Sequence, residues 1–150
     1  MQMNKLDDAM VRANIAFTLF AVISAIFCGS SYASEKLQPG SRYQIVGPLY
    51  LYGVYLNLNK RQLNRVMAFG DLTAVRYSGP EVAFECIVPV GTIMTIIGPA
   101  PKIWHLPFLA DQYFVRLDPD LSRGLDVVVE LNRGTEGSMD GLNPELFSRP

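Results

Sequence analysis

The chain has 150 residues, 49% of them hydrophobic, with 13 Lys and Arg against 14 Asp and Glu for a net charge of −1. That balance excludes the basic excess by which nucleic-acid binders hold a phosphate backbone, and the length suits one modest core. One histidine and two cysteines leave little material for a zinc site or a nucleophile, base and orienting-residue triad.

The N-terminus has the form of a secretory signal. Ile15 to Cys28 (IAFTLFAVISAIFC) carries no charge and follows Lys5 and Arg12, the basic-then-apolar order of an export signal. The run is shorter than the ~20 residues of a comfortable membrane span. Ser31 and Ala33 are small residues at the −3 and −1 positions of a cut between Ala33 and Ser34. Residues 1–33 are therefore expected to be a cleavable signal peptide, and the remainder to be exported to the periplasm or the extracellular space, with membrane contact only for export. Met1, Met3 and Met10 all stand as initiators, Met10 placing Arg12 just before the apolar run. Two alternatives stay open: an uncleaved anchor, and a lipid anchor at Cys28, against which the bulky Phe27 argues. Loss of Cys28 leaves Cys86 without a disulfide partner in the chain, and its expected role is that of a small buried apolar residue.

After a polar linker ending in Pro39-Gly40, Arg42 to Val46 reads as a first strand and Gly47-Pro48 interrupts it. Leu49 to Leu56 (LYLYGVYL) resumes β-type composition, with Tyr50 and Tyr52 on one face and Gly53 marking a bulge or a close backbone approach. The pattern changes at Asn59, an N-cap candidate with Gln62 three residues on; Leu63, Val66 and Met67 at helical spacing predict a short helix over Lys60 to Phe69, ended by Gly70. Leu72 to Tyr77 and Val82 to Val88 follow as strands, the second with Val82, Phe84, Cys86 and Val88 inward and Glu85 outward. Pro89 and Gly91 divide this run from a further strand, Thr92 to Ile97.

VPVGTIMTIIG, Val88 to Gly98, resembles bacterial SH3-like barrels, in which a Pro/Gly turn leads into an apolar strand after a Gly-Thr pair. The resemblance implies a compact few-stranded barrel acting as a binding module, with the Lys60 to Phe69 helix as an insertion; it implies no site residues.

Lys102 to Ala110 (KIWHLPFLA) is apolar and aromatic but contains Pro107, which predicts a loop over a core edge. Gln112 to Leu117 and Leu125 to Leu131 are the last expected strands, joined by a turn in which Asp118 is expected to stabilise the chain locally. The expected organisation is a β-rich globular domain over residues 34–131 and a glycine-rich, mobile C-terminal tail over 132–150, with one helical turn at Asn143-Pro144-Glu145. The fold class is mainly β: a small antiparallel barrel, SH3-like or similar, or a curved sheet with one short helix.

Any thiol chemistry in the exported chain must pair Cys86 with His105, and Cys86 sits in a strand rather than at a helix N-terminus where a thiolate is stabilised. Glu81 with Glu85 and Asp118 with Asp120 are close in sequence but weak signals of carboxylate chemistry, and the DPDLSRG run lacks the further ligands of a calcium loop. No cofactor, no metal and no catalytic residue is expected. The candidate binding residues are Trp104, His105, Tyr50 and Tyr52, since Tyr and Trp offer contact area with a polar handle. Trp104 has a second reading, as a cover over the open end of a small core. The leading functional expectation is an exported non-catalytic binding module for an envelope or extracellular protein, an inhibitor or immunity-type factor being one form, or for cell-wall glycan. The alternatives are a small hydrolase using Cys86 and His105, and a structural subunit of an envelope assembly.

Overall fold

Short β-branched and aromatic runs punctuated by Gly and Pro set the strand lengths. The computed structural model describes residues 37–101 and 111–150; the expected signal peptide and the Lys102 to Ala110 loop lie outside the described residues. The strands in chain order are β1 (Arg42–Ile45), β2 (Leu49–Tyr55), β3 (Ala68–Thr73), β4 (Val82–Val88), β5 (Ile93–Pro99), β6 (Gln112–Asp118), β7 (Val127–Glu130), β8 (Glu136–Met139) and β9 (Phe147–Ser148). Eight form one sheet in the order β4-β2-β3-β7-β6-β5-β1-β9. Its ladders are antiparallel except β3 with β7, which is parallel, so two antiparallel groups are welded along one parallel seam.

The connections require this sheet to coil. β1 and β2 stand five places apart in the strand order, about 24 Å across a flat sheet at strand spacing. The link from Ile45 to Leu49 can reach only about 15 Å. Curvature brings the end of β1 within that reach of the start of β2, without a ladder to join the two strands. The sheet is thus strongly curved, but mixed and not closed, in place of an antiparallel barrel. Its concave face gathers Leu49, Leu51, Leu72, Met94, Ile96 and Val129 into one core cluster. The seam strands β3 and β7 are buried on both faces, and a second cluster of Tyr52, Val54, Phe69 and Val128 occupies the other side.

Gly53 is both a bulge site and a close approach. Its register partner is Phe84, that of Val54 is Val82, and Ala83 is the extra residue of the bulge. The shift turns Val82 onto the second cluster, away from the face of Phe84, Cys86 and Val88, so the four-residue inward face expected for β4 is broken between Val82 and Phe84. A Cβ on Gly53 would fall on the Phe84 ring, which carries the Arg123 guanidinium 4.3 Å from its centroid. Gly53→Ala is expected to lower stability by about 1–2 kcal/mol, within the usual cost of overpacking, because the half-buried ring can swing partly aside. Urea unfolding measures this; an unchanged midpoint would show that the ring does not rest on Gly53.

Two further sequence expectations are corrected. No helix occurs among the described residues, and Lys60 to Phe69 is an irregular loop running into β3. Asn57 Oδ1 accepts from the Asn59 N–H at 2.8 Å, and Asn64 Oδ1 accepts from the Val66 and Met67 N–H groups at 3.0 Å. Asparagine side chains here take the backbone donors that a helix would use. Ala68 and Phe69 instead enter β3, where they pair with β2, while Gly70 onward also pairs with β7. Residues 132–150 are not a detached tail: they supply β8, β9 and the buried Leu142, Leu146 and Phe147. Asn143 O accepts from both Leu146 N–H and Phe147 N–H at 3.0 Å, forming one turn. Arg149 grips Asp140 at 2.7 and 2.9 Å, and Tyr43 donates to Asp140 at 2.8 Å; burial, then Asp140, push the Tyr43 hydroxyl up to about 12.

Candidate functional site

The ladder between β2 and its neighbours builds the candidate site on the convex face. Register aligns Glu85, Tyr52, Asp71, Val128 and Phe114 across five strands. The adjacent row runs through Ile87, Tyr50 and Thr73. Tyr50 and Tyr52 therefore share a face, as their spacing predicts, but in different environments. Tyr52 is fully buried, whereas Tyr50 is half-buried; the two ring centroids lie 6.3 Å apart.

The segment after β3 folds back over these rings. Tyr77 stacks on Tyr52 at 4.2 Å and 31°, its N–H donates to the Tyr52 hydroxyl at 3.3 Å, and its own hydroxyl donates to Asp71 Oδ2 at 2.7 Å. Arg76 lies 5.3 Å from the Tyr50 centroid and donates through Nη2 to Glu85 Oε1 at 3.0 Å. Beside this group Ile87 is 71% exposed on the edge strand. An aromatic ring faced by a guanidinium, a carboxylate beside it and an exposed aliphatic side chain provide cation–π, ionic and apolar contacts within one surface.

A buried polar layer supports the surface. Arg133 stands 3.7 Å from both Asp71 Oδ2 and Glu130 Oε1 and 5.8 Å from the Tyr77 centroid. Gln112 donates to Glu130 Oε2 at 3.0 Å, while Glu130 Oε1 is buried without a hydrogen-bond partner among the described residues. Burial raises the Asp71 carboxyl above its ordinary value, against the lowering effect of the Tyr77 hydrogen bond and Arg133. The Tyr77 hydroxyl is pushed up by burial and by Asp71. These shifts favour a tyrosine that stays a hydrogen-bond donor.

Trp104 and His105 lie outside the described residues. Cys86 packs against the concave core, and burial pushes its thiol up, away from the thiolate that nucleophilic chemistry requires. Asp120 accepts from Ser122 N–H at 2.8 Å in the turn that follows β6. Among the described residues no three His, Cys, Asp or Glu side chains are grouped to hold a metal ion.

The sequence reading missed Arg76, Tyr77, Ile87 and Arg133 as partners of the tyrosine face. Alternation along β4 did place Glu85 outward, and Ile87 follows by the same period of two; the folding back of Arg76, Tyr77 and Arg133 has no such signal. No family model, curated protein or solved structure matches this chain.

Proposed function

We propose that the chain is an exported, non-catalytic binding module that recognises an envelope or extracellular protein through the Tyr50, Arg76, Glu85 and Ile87 face. The supporting observation is the Arg76 guanidinium, faced on Tyr50 and paired with Glu85 beside the exposed Ile87. Tyr and Arg dominate the energetics of protein interfaces when an apolar surround excludes water. Tyr52, Tyr77 and Asp71 fix the surface from below and so limit the side-chain entropy lost on binding. An inhibitor or immunity-type factor is one form of such a module, and the SH3-like resemblance at Val88 to Gly98 accords with the same role.

Affinity capture from an envelope fraction, comparing the unsubstituted chain with Ile87→Asp and Arg76→Ala, tests the proposal. Both side chains are exposed, so folding is expected to persist. A partner should be recovered with at least about ten-fold weaker binding to each variant. Retention on isolated cell wall in place of a protein would move the reading to glycan recognition. Equal recovery by all three chains would remove this face from the function.

A further inference from the structure

We infer that the loop between β2 and β3 is a docking element for an anionic lipid surface, independent of the tyrosine face. The loop covers residues 56–67, well beyond the two to five residues of an ordinary hairpin connection; connections of such length are commonly functional. Every residue from Leu56 to Val66 is exposed, so the segment projects from the sheet. It carries Leu56, Leu58 and Leu63 outward, and Val66 is 79% exposed. These large apolar side chains are left in water although the chain has a core to receive others.

The loop has a fixed shape. Leu56 N–H to Met67 O at 2.8 Å closes its neck, and Lys60 N–H to Asn57 O at 3.2 Å closes an internal turn. The Asn64 side chain holds the return limb. Arg65 ties that limb to the domain by donating to Gly124 O at 2.9 Å, with Asp126 at 3.7 Å. Lys60 and Arg61 remain on the projecting part, and the Arg61 Nε bond at 3.3 Å is to the loop's own Leu58 O.

Charge identifies the occupant. Residues 56–67 hold three cations and no acidic residue, whereas the rest of the chain has ten basic residues and fourteen acidic ones; with Arg65 beside Asp126, Lys60 and Arg61 are the cations the loop presents. Aliphatic side chains interspersed with cations suit the boundary between anionic headgroups and acyl chains, where apolar burial and charge attraction act together. The loop has no aromatic residue to anchor a protein interface; on that criterion a bilayer fits better than a protein partner.

The test uses the full chain with phosphatidylcholine vesicles that contain or lack phosphatidylglycerol. Because the Ile15 to Cys28 run is itself apolar, the readout must come from the loop. Val66→Trp supplies it as a fluorescence difference from the unsubstituted chain, whose single tryptophan is Trp104. The proposal predicts a blue shift, and quenching by brominated acyl chains, only with phosphatidylglycerol. High salt should weaken both. Lys60→Gln with Arg61→Gln, both at exposed positions, should cut the partition coefficient by at least about ten-fold. Unchanged Val66→Trp emission, equal shifts with both vesicle types, or the same shift with soluble polyphosphate would each overturn it.

Discussion

Phe147→Ala should destabilise the domain by about 3–5 kcal/mol, the range for deleting a buried aromatic side chain when the cavity persists. Phe147 is 1% exposed and shares the concave core with Leu142 and Leu146. Collapse of the vacated space is opposed from several sides. β9 is fixed to β1 through Ile45 with Phe147, and Val46 N–H donates to Leu146 O at 2.8 Å. Gly47 lies so close to Glu145 O and Leu146 that even a Cβ there would clash. Equilibrium urea unfolding followed by far-ultraviolet circular dichroism measures the loss from the midpoint at constant slope. Removing residues 141–150 should abolish the cooperative transition. A Phe147→Ala loss below about 1 kcal/mol, well under the cavity range, would mean that these residues are dispensable to the core.

The C-terminal result bears on how much of the fold can be read from sequence. Glycine density over residues 132–150 suggests mobility, yet Leu142, Leu146 and Phe147 are the apolar positions that anchor the segment; the balance between backbone entropy and three buried side chains is decided by the concavity awaiting them. Strands such as Val82 to Val88, and the division at Pro89 to Gly91, were legible because alternation and missing donors act locally. The segment 59–73 was not. Leu63, Val66 and Met67 have helical spacing, and Gly70 has the form of a helix stop. In the fold, Gly70 is mid-strand, where a Cβ would lie 3.1 Å from Val127 Cγ2 and 3.2 Å from Leu51 Cδ1. Only tertiary packing separates a glycine that ends a helix from one that admits neighbouring side chains. The site follows the same division. Alternation put Tyr50 and Tyr52 on one face, but the pairings of Tyr77 with Asp71 and of Arg133 with Asp71 depend on segments that return across the sheet.

Arg133→Ala should cost about 2–3 kcal/mol near neutral pH, less than the 3–5 kcal/mol for breaking a fully buried ion pair, because the Arg133 side chain is 35% exposed. The cost comes from what remains: Asp71 and Glu130, 8% and 3% exposed, lose the cation between them. Asp71 already has a raised folded-state pKa from burial, with Arg133 opposing the rise and Glu130 adding to it. Its stabilising contribution is therefore fully present below the unfolded-state value and is lost as pH rises through the folded-state value. Removing Arg133 raises the folded-state value further, deepening the loss at neutral pH while leaving the strongly acidic limit unaffected. Asp120 and Asp140, both lowered, act in the opposite sense but do so equally in the two proteins. The stability gap should accordingly narrow as pH falls from about 7 towards the ordinary aspartate range near 4. Parallel urea titrations at the two limits measure that gap. A constant gap would show that Arg133 supports the fold through its contact with Tyr77 and its aliphatic stem, without acting as the counter-charge of the buried pair.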